Sequence, residues 1–398
     1  MTLFAEFSGV PDFSRSDFPA GLPIARISLE NLRHNWRYLA ARAKQLSPMA
    51  VIKADAYGHG LEPVARALVN DGCRTLAVGG VETGVLLRRA LAASGITDVA
   101  ILPLLGVLGP ENAASAIEHN LIPMVLSAEG ASWVSKAWSG AEPLPVAVKV
   151  ETGMSRLGVR AEETRELVAA LRSFSNLRPA LLLSHFAVAD EPARDEFSAL
   201  QVERFLDAYA ALREFWPDIA ASLGNSAGYL AQDTLLAALP SHIGRPGYAL
   251  YGGNPFAGTD RANLGAGLLP VMEVAAPVMG VHSLRGGQAV SYGCTFTAER
   301  DMRIAVVGAG YADGFSRSLS GRGHVCIRGR RCAVIGRVCM QMHVVDISRV
   351  PDVMAGDAAY LLGGEGPEAV SMADIARDWG TIPYEVFCLL GRNTRVYV

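Results

Sequence analysis

MAVIKADAYGHG, from Met49 to Gly60, is the stretch around which the rest of the chain is organised. Ala50, Val51 and Ile52 read as a buried strand that delivers Lys53 at its C-terminal end, after which Gly and small residues break the chain into a turn. An ammonium at the end of an apolar run is partly desolvated, and that favours the neutral amine. Lysines that form Schiff bases need such a setting. A surface lysine at an ordinary strand end has the same local pattern, so the motif must be weighed with what surrounds it.

Outward from this strand the pattern repeats. Apolar runs occur at 50–55, 75–80, 99–106, 122–127, 145–151, 180–186, 220–225 and 242–247. Amphipathic segments lie between them, among them 62–70, 83–93, 161–174 and a long one at 195–215; a further helix is read over 29–44, after a short strand at 25–28. Eight strands alternating with helices predict a (β/α)8 barrel of the TIM type, with an open doubly wound sheet as the alternative. No GxGxxG follows an early strand, so closure is preferred. After about residue 270 the texture changes to short strand-like runs separated by Gly-rich turns, with 372–379 as the one helical run. The expected organisation is an N-terminal tail over 1–23, the barrel over 24–268 and a smaller, mainly β domain over 269–398.

Composition limits the function. The chain has 398 residues, half of them hydrophobic and 19% charged, which suits an ordinary globular protein. A net charge of −3 leaves no basic surplus for nucleic acid. The N-terminus lacks the basic start and apolar core of a signal peptide, and no apolar run is long enough for a membrane span. Six scattered cysteines, without CxxC pairs or His ligands at metal spacing, read as thiols in a reducing compartment, with no metal site. The cytoplasm is the expected location. Only four lysines are present, and two of them, Lys53 and Lys149, fall at strand ends.

Barrels of this kind carry their chemistry at the C-terminal ends of the strands, and phosphate sites commonly use the loops after strands seven and eight. The polar residues collect there: Lys53 and Tyr57 after strand one, Lys149 and Arg156 after strand five, His185 after strand six, Asn225 and Ser226 after strand seven, and Arg245, Gly247 and Tyr248 after strand eight. Position alone makes Ser226 with the Gly247 and Tyr248 amides a phosphate cradle. Taken singly, His185 reads as a core histidine and Asn225-Ser226 as a helix N-cap.

AVIKADAYGHG closely resembles the cofactor-lysine motif of the alanine racemase family, fold-type III enzymes that use pyridoxal 5′-phosphate (PLP). The resemblance extends over about residues 24–384, through KVETGMSRLGV (149–159), SHFAVAD (184–190), GNSAG (224–228), GRPGYALYG (245–252), AVSYGCTF (289–296), GYADGF (310–315) and GRVCMQMHVVDIS (336–348). It implies PLP on Lys53, Arg156 at the cofactor's phenolic oxygen and the substrate carboxylate, His185 against the ring, Ser226 at the phosphate and Arg245 at the pyridine nitrogen. Arginine only donates, so it favours an unprotonated ring nitrogen and a weaker electron sink, which suppresses transamination relative to proton exchange. Lys149 corresponds to a lysine that many relatives carbamylate. Racemisation needs proton transfer on both faces of one carbon. The resemblance supplies the second base as Tyr292 of the other subunit in a homodimer, and it places Met340 at the substrate carboxylate and Tyr311 at the substrate entrance.

Two departures stand out. Gln341-Met342 replaces the usual Asp-Gln, and the C-terminus lacks the tyrosine that commonly reaches the phosphate, leaving Arg392 or Thr394 as substitutes. The implied function is interconversion of L- and D-alanine, supplying D-alanine as a peptidoglycan precursor or consuming it. A serine or broad-specificity racemase, a basic amino-acid decarboxylase and a single-barrel PLP carrier are the alternatives.

Overall fold

The computed structural model describes residues 22–239 and 241–398, so all but the last two positions of the expected 1–23 tail lie outside the described residues. Two compact units emerge, and the chain passes between them more than once. One comprises residues 32–54 and 61–269. The other contains the described residues up to Asn31, the short segment 55–60, and 270–398.

The first unit is the barrel. After a short strand at Ile24–Ile27 (β1), which belongs to the other unit, come Ala50–Val51 (β2), Thr75–Val78 (β3), Ala100–Pro103 (β4), Met124–Val125 (β5), Leu144–Glu151 (β6), Leu177–Leu183 (β7) and Ala220–Ser222 (β8). Their ladders are parallel from β2 to β4 and from β5 to β8. Ile122 N donates to Ile101 O at 2.9 Å and joins the two sets. The eighth position, expected at 242–247, is not a regular strand, yet it closes the ring. Ile243 N donates to Ala221 O and Arg245 N to Gly224 O, while Met49 N and Val51 N donate to Gly244 O and Pro246 O. Alternate residues thus bond to opposite neighbours, and Pro246, which has no N–H to give, uses only its carbonyl. Helices lie between strands as the apolar spacing predicts, including Leu61–Asn70, Val81–Ala93, Thr164–Arg172 and Asp195–Arg213. Ile52, Leu76, Val78, Ile101, Met124, Val146, Val148 and Leu182 are buried, so both faces of the sheet are covered, as a parallel barrel requires.

The C-terminal unit is a closed β structure. Met272–Leu284 (β9), Met302–Val307 (β10), His324–Ile327 (β11), Arg330–Ile335 (β12), His343–Asp346 (β13) and Ala358–Leu362 (β14) run in the order β10-β13-β12-β11-β14-β9, and β9 pairs back with β10. At thirteen residues β9 is long enough to do this and still pair with β1, which in turn pairs in parallel with Thr394–Tyr397 (β15). The strand at 24–27, expected to belong to the barrel, therefore belongs to this sheet. Its Arg26 lies 3.7 Å from Glu273 in a buried ion pair. Beyond the expected helix at 372–379, Pro383–Leu390 is also helical. With PYEVFCLL apolar nearly all round, it offers no amphipathic period to read.

Local chemistry shapes the stretch at 49–60 in a way periodicity does not signal. Ala54, Asp55, Ala56 and Tyr57 have φ between +53° and +54°, a left-handed helical turn made without glycine. Each such residue costs about 1–2 kcal/mol, so the turn must be braced. His59, fully buried, has Nδ1 at 3.0 Å from the carbonyls of Ala56 and Tyr57, and its ring meets Phe387 edge-on at 5.1 Å. Asp55 is paired with Arg395 at 2.5 Å. At Gly58 (φ +80°) a Cβ would stand 2.5 Å from Phe387 O, so no other residue fits without moving the backbone. These braces account for the Gly-His-Gly that follows the lysine strand.

Candidate active site

The barrel unit gathers most of the expected residues at one end. Lys53 follows β2, Lys149 lies near the C-terminal end of β6, His185 follows β7 and Arg245 lies in the closing segment. Arg245 is 3% exposed. Its Nη1 donates to Ser222 O at 2.7 Å and to Ser222 Oγ at 2.5 Å, and its Nη2 donates to Ser184 O at 2.5 Å and to His185 Nδ1 at 3.2 Å. Burial lowers its pKa to about 10, so it stays charged at neutral pH. Because arginine has only donors, His185 Nδ1 must accept, and the proton of the neutral imidazole resides on Nε2. Burial, with the charges of Arg245, Lys149, Arg156 and Lys53 around it, holds the His185 pKa well below its ordinary value.

The same cations act on Lys149. Burial lowers its pKa to about 7, helped by Arg245, Arg156 and Lys53, while Glu151 opposes the shift. Lys53, Lys149, Arg156 and Arg245 are thus close enough to raise one another's electrostatic cost. Such a cluster suits an anionic ligand, which would relieve that cost. The loop after β6 is held by Glu151, whose Oε1 accepts from Gly153 N at 2.7 Å and Met154 N at 2.5 Å, and these main-chain donors keep the Glu151 pKa low despite partial burial. Arg156 beyond them is exposed.

Ser226 meets the closing segment, with one change from the expected partners. Ser226 Oγ accepts from Gly247 N at 3.0 Å and from Ala249 N at 3.2 Å, so Ala249 rather than Tyr248 supplies the second amide. Tyr248 itself is buried. Asn225 Oδ1 accepts from Gly228 N at 3.0 Å and caps the helix Ser226–Leu230. Asn225 thus orients Ser226, the N-cap role that its sequence context also allows.

In the C-terminal unit three motif segments meet. Ser291 Oγ donates to Arg337 O at 2.6 Å, Tyr311 N to Cys339 O at 3.1 Å and Ala312 N to Met340 O at 2.9 Å. A tight turn, Cys339 N to Met342 O at 2.9 Å, carries Gln341 and Met342 on the surface. That turn closes on its own backbone without the aspartate usual at this point. Beneath it, buried His343 has Nδ1 at 2.7 Å from Ala309 O and stacks on Phe315 at 4.3 Å, and burial lowers its pKa to about 4. Tyr292, Tyr311, Met340 and Met342 are all exposed. Tyr57, by contrast, is buried, 6.1 Å from Tyr384, and burial raises its pKa further than that neighbour does. Tyr384 lies in the helix Pro383–Leu390, which the sequence does not signal, while Arg392 and Thr394, the expected substitutes for a C-terminal phosphate tyrosine, are exposed.

Among the described residues, no group of three His, Cys, Asp or Glu side chains could hold a metal ion, and no helix is long and apolar enough to cross a membrane. All six cysteines are thiols.

A strand-end amine among cations, a neutral histidine and a serine bonded to two main-chain amides stand at the end of the barrel where enzymes of this fold carry their chemistry. Residues 27–255 match the family model "Alanine racemase, N-terminal domain", and residues 271–398 match "Alanine racemase, C-terminal domain". An alanine racemase of Nitratidesulfovibrio vulgaris is 45% identical over 369 residues, covering 93% of this chain and 95% of that protein. The solved structure of the alanine racemase from Streptomyces coelicolor A3(2) superposes with a TM-score of 0.84 at 34% identity, over 95% of this chain and 98% of that one. The Bartonella henselae enzyme, solved with covalently bound pyridoxal phosphate, superposes at 0.82 with 27% identity, over 95% and 99%. The chain belongs to the alanine racemase family of PLP-dependent isomerases.

Proposed function

We propose that this protein interconverts L- and D-alanine as a cytoplasmic homodimer with PLP on Lys53. The observation that carries the reading is the cationic cluster around Lys53, Lys149, Arg156 and Arg245, which fits a dianionic phosphate and a substrate carboxylate. The Ser226 hydroxyl, whose oxygen accepts from the amides of Gly247 and Ala249 and whose proton is therefore directed elsewhere, would donate to the phosphate. When bound, the cofactor supplies an electron sink that makes the α-hydrogen of the amino acid acidic. The chain's own groups do the rest. Lys53 holds or takes a proton on one face, and Tyr292 of the partner subunit does so on the other. Arg156 and the Met340 amide orient the carboxylate, His185 packs its neutral ring against the cofactor, and Tyr311 lines the entrance.

Arg245 has both terminal nitrogens committed to Ser222, Ser184, His185 and Leu223, and it keeps Nε–H to offer the pyridine nitrogen. Replacing Arg245 with Gln removes that charged donor, worth roughly 1.5–3 kcal/mol, so racemisation should slow by roughly 10–100-fold. Transamination, read as pyruvate formed from alanine, should gain relative to racemisation; an unchanged ratio would refute this role. Lys149, whose pKa burial lowers to about 7, keeps a substantial neutral fraction at neutral pH and so has the nucleophilic amine that carbamylation by carbon dioxide requires. The carbamate would be an anion set between Arg156 and Arg245, and carbon-13 bicarbonate should place a label on Lys149; no label on that residue would exclude it.

Dimer formation is supported by the exposure of Tyr292 (70%) and Met340 (58%) in the isolated chain, an apolar surface of the kind that marks an interface. To test the activity, purified protein with PLP is incubated with a panel of L-amino acids and the enantiomers are separated. Alanine should racemise fastest. A preference for serine, or carbon dioxide release from a basic amino acid, would overturn the assignment.

A further inference from the structure

We infer that Gln201, on the outer helix Asp195–Arg213, is the positioning residue that locks the loops carrying Arg156 and His185 into one arrangement. This rests on the proposed PLP reading and deepens it. Gln201 is fully buried, unusual for a glutamine, and its amide is fully used. Oε1 accepts from Ala187 N at 2.9 Å, while Nε2 donates to His185 O at 3.0 Å and to Thr152 Oγ1 at 3.3 Å. The main-chain donor at Ala187 and the carbonyl at His185 together fix which end of the amide is which.

The network continues inward. Since Nε2 can only donate to Thr152 Oγ1, the Thr152 hydroxyl is free to donate to Ser184 Oγ, 2.8 Å away. The Ser184 carbonyl in turn accepts from Arg245. Bonds thus run from the outer helix through the loop after β6 and the loop after β7 to the guanidinium in the closing segment. Gln201 sets the His185 main chain, and Arg245 sets its ring through Nδ1. One turn further along the helix, Arg204 Nη1 donates to Thr152 O at 3.1 Å. Gly153 (φ +145°) sits so close to this helix that a Cβ would meet Phe197 at 3.1 Å and Gln201 at 3.3 Å. The loop that leads to Arg156 is therefore laid directly on the face that carries Gln201. A buried, fully satisfied polar network of this kind specifies one geometry, and losing a member leaves its partners unsatisfied.

The test uses the full-length protein, stripped of cofactor and titrated with PLP. Gln201→Met keeps the volume and removes both bonding functions. PLP should bind about tenfold or more weakly and the KM for alanine should rise, with kcat less affected. Val202→Ala, a buried change on the same helix outside the network, is the control for loss of stability alone. Gln201→Glu gives an independent readout. A protonated carboxyl can donate to His185 O and accept from Ala187 N, whereas a carboxylate cannot donate. The PLP affinity of Gln201→Glu relative to wild type should therefore rise as pH falls from 8 to 6. Unchanged PLP affinity and KM in Gln201→Met, an equal loss in Val202→Ala at the same drop in Tm, or a pH-independent Gln201→Glu ratio would each overturn the role. Failure of the wild type to bind PLP would instead sink the cofactor reading, and this inference with it.

Discussion

Lys53→Ala is expected to leave a folded protein with racemisation reduced roughly 10⁴-fold or more. A positioned acid–base group is usually worth about 10²–10⁴-fold, and here the same amine also tethers the cofactor, so the upper end applies. The substitution is mild for the fold. Lys53 is half-buried, and truncation to alanine keeps its Cβ and its backbone. It also removes one cation from the cluster. With that charge gone, the pKa of Lys149 should move back up, because Lys53 is one of the groups now lowering it. In the wild type, borohydride should fix PLP to the peptide containing Lys53. The chain has only three other lysines, Lys44, Lys136 and Lys149, so misassignment is easily detected. Covalent labelling of one of those three, or near-normal activity in Lys53→Ala, would refute the assignment.

Sequence and structure agree where the signal is periodic. Alternating apolar runs located seven barrel strands and the closing segment, and Lys53, Lys149, His185, Ser226 and Arg245 lie at or just beyond the strand ends where the sequence puts them. What was not legible depends on tertiary bracing. Four consecutive residues without glycine adopt left-handed φ values after Lys53 because His59 and Arg395 hold them, and no local propensity encodes that. Residues 55–60 therefore go with the C-terminal unit although they interrupt the barrel sequence. The helix Pro383–Leu390 escaped notice for the opposite reason: it is too uniformly apolar to show a helical period. Gln201 gave no signal because a polar residue on the buried face of an outer helix looks like an interruption until its three partners are seen.

Tyr292→Phe should spare folding, PLP binding and dimerisation while lowering racemisation by roughly 10²–10⁴-fold. The reason lies in what the side chain does locally. Tyr292 is 70% exposed and is presented by a turn in which Ser291, Gly293 and Cys294 all have positive φ, with the Ser291 hydroxyl tied to Arg337 O. Removing only the hydroxyl leaves that turn and its bond intact, so lost activity reports lost proton transfer. Inversion at one carbon requires a proton carrier on each face, and the loss should therefore be lopsided. The variant should still exchange the α-hydrogen of one enantiomer for deuterium through Lys53, and that of the other far more slowly. If the two carriers come from different subunits, mixing Lys53→Ala with Tyr292→Phe chains and allowing them to re-dimerise should restore part of the activity, since one site per hybrid then holds both intact residues. Verified hybrids that stay inactive, or a Tyr292→Phe protein that exchanges both enantiomers equally, would mean that the second proton carrier lies elsewhere.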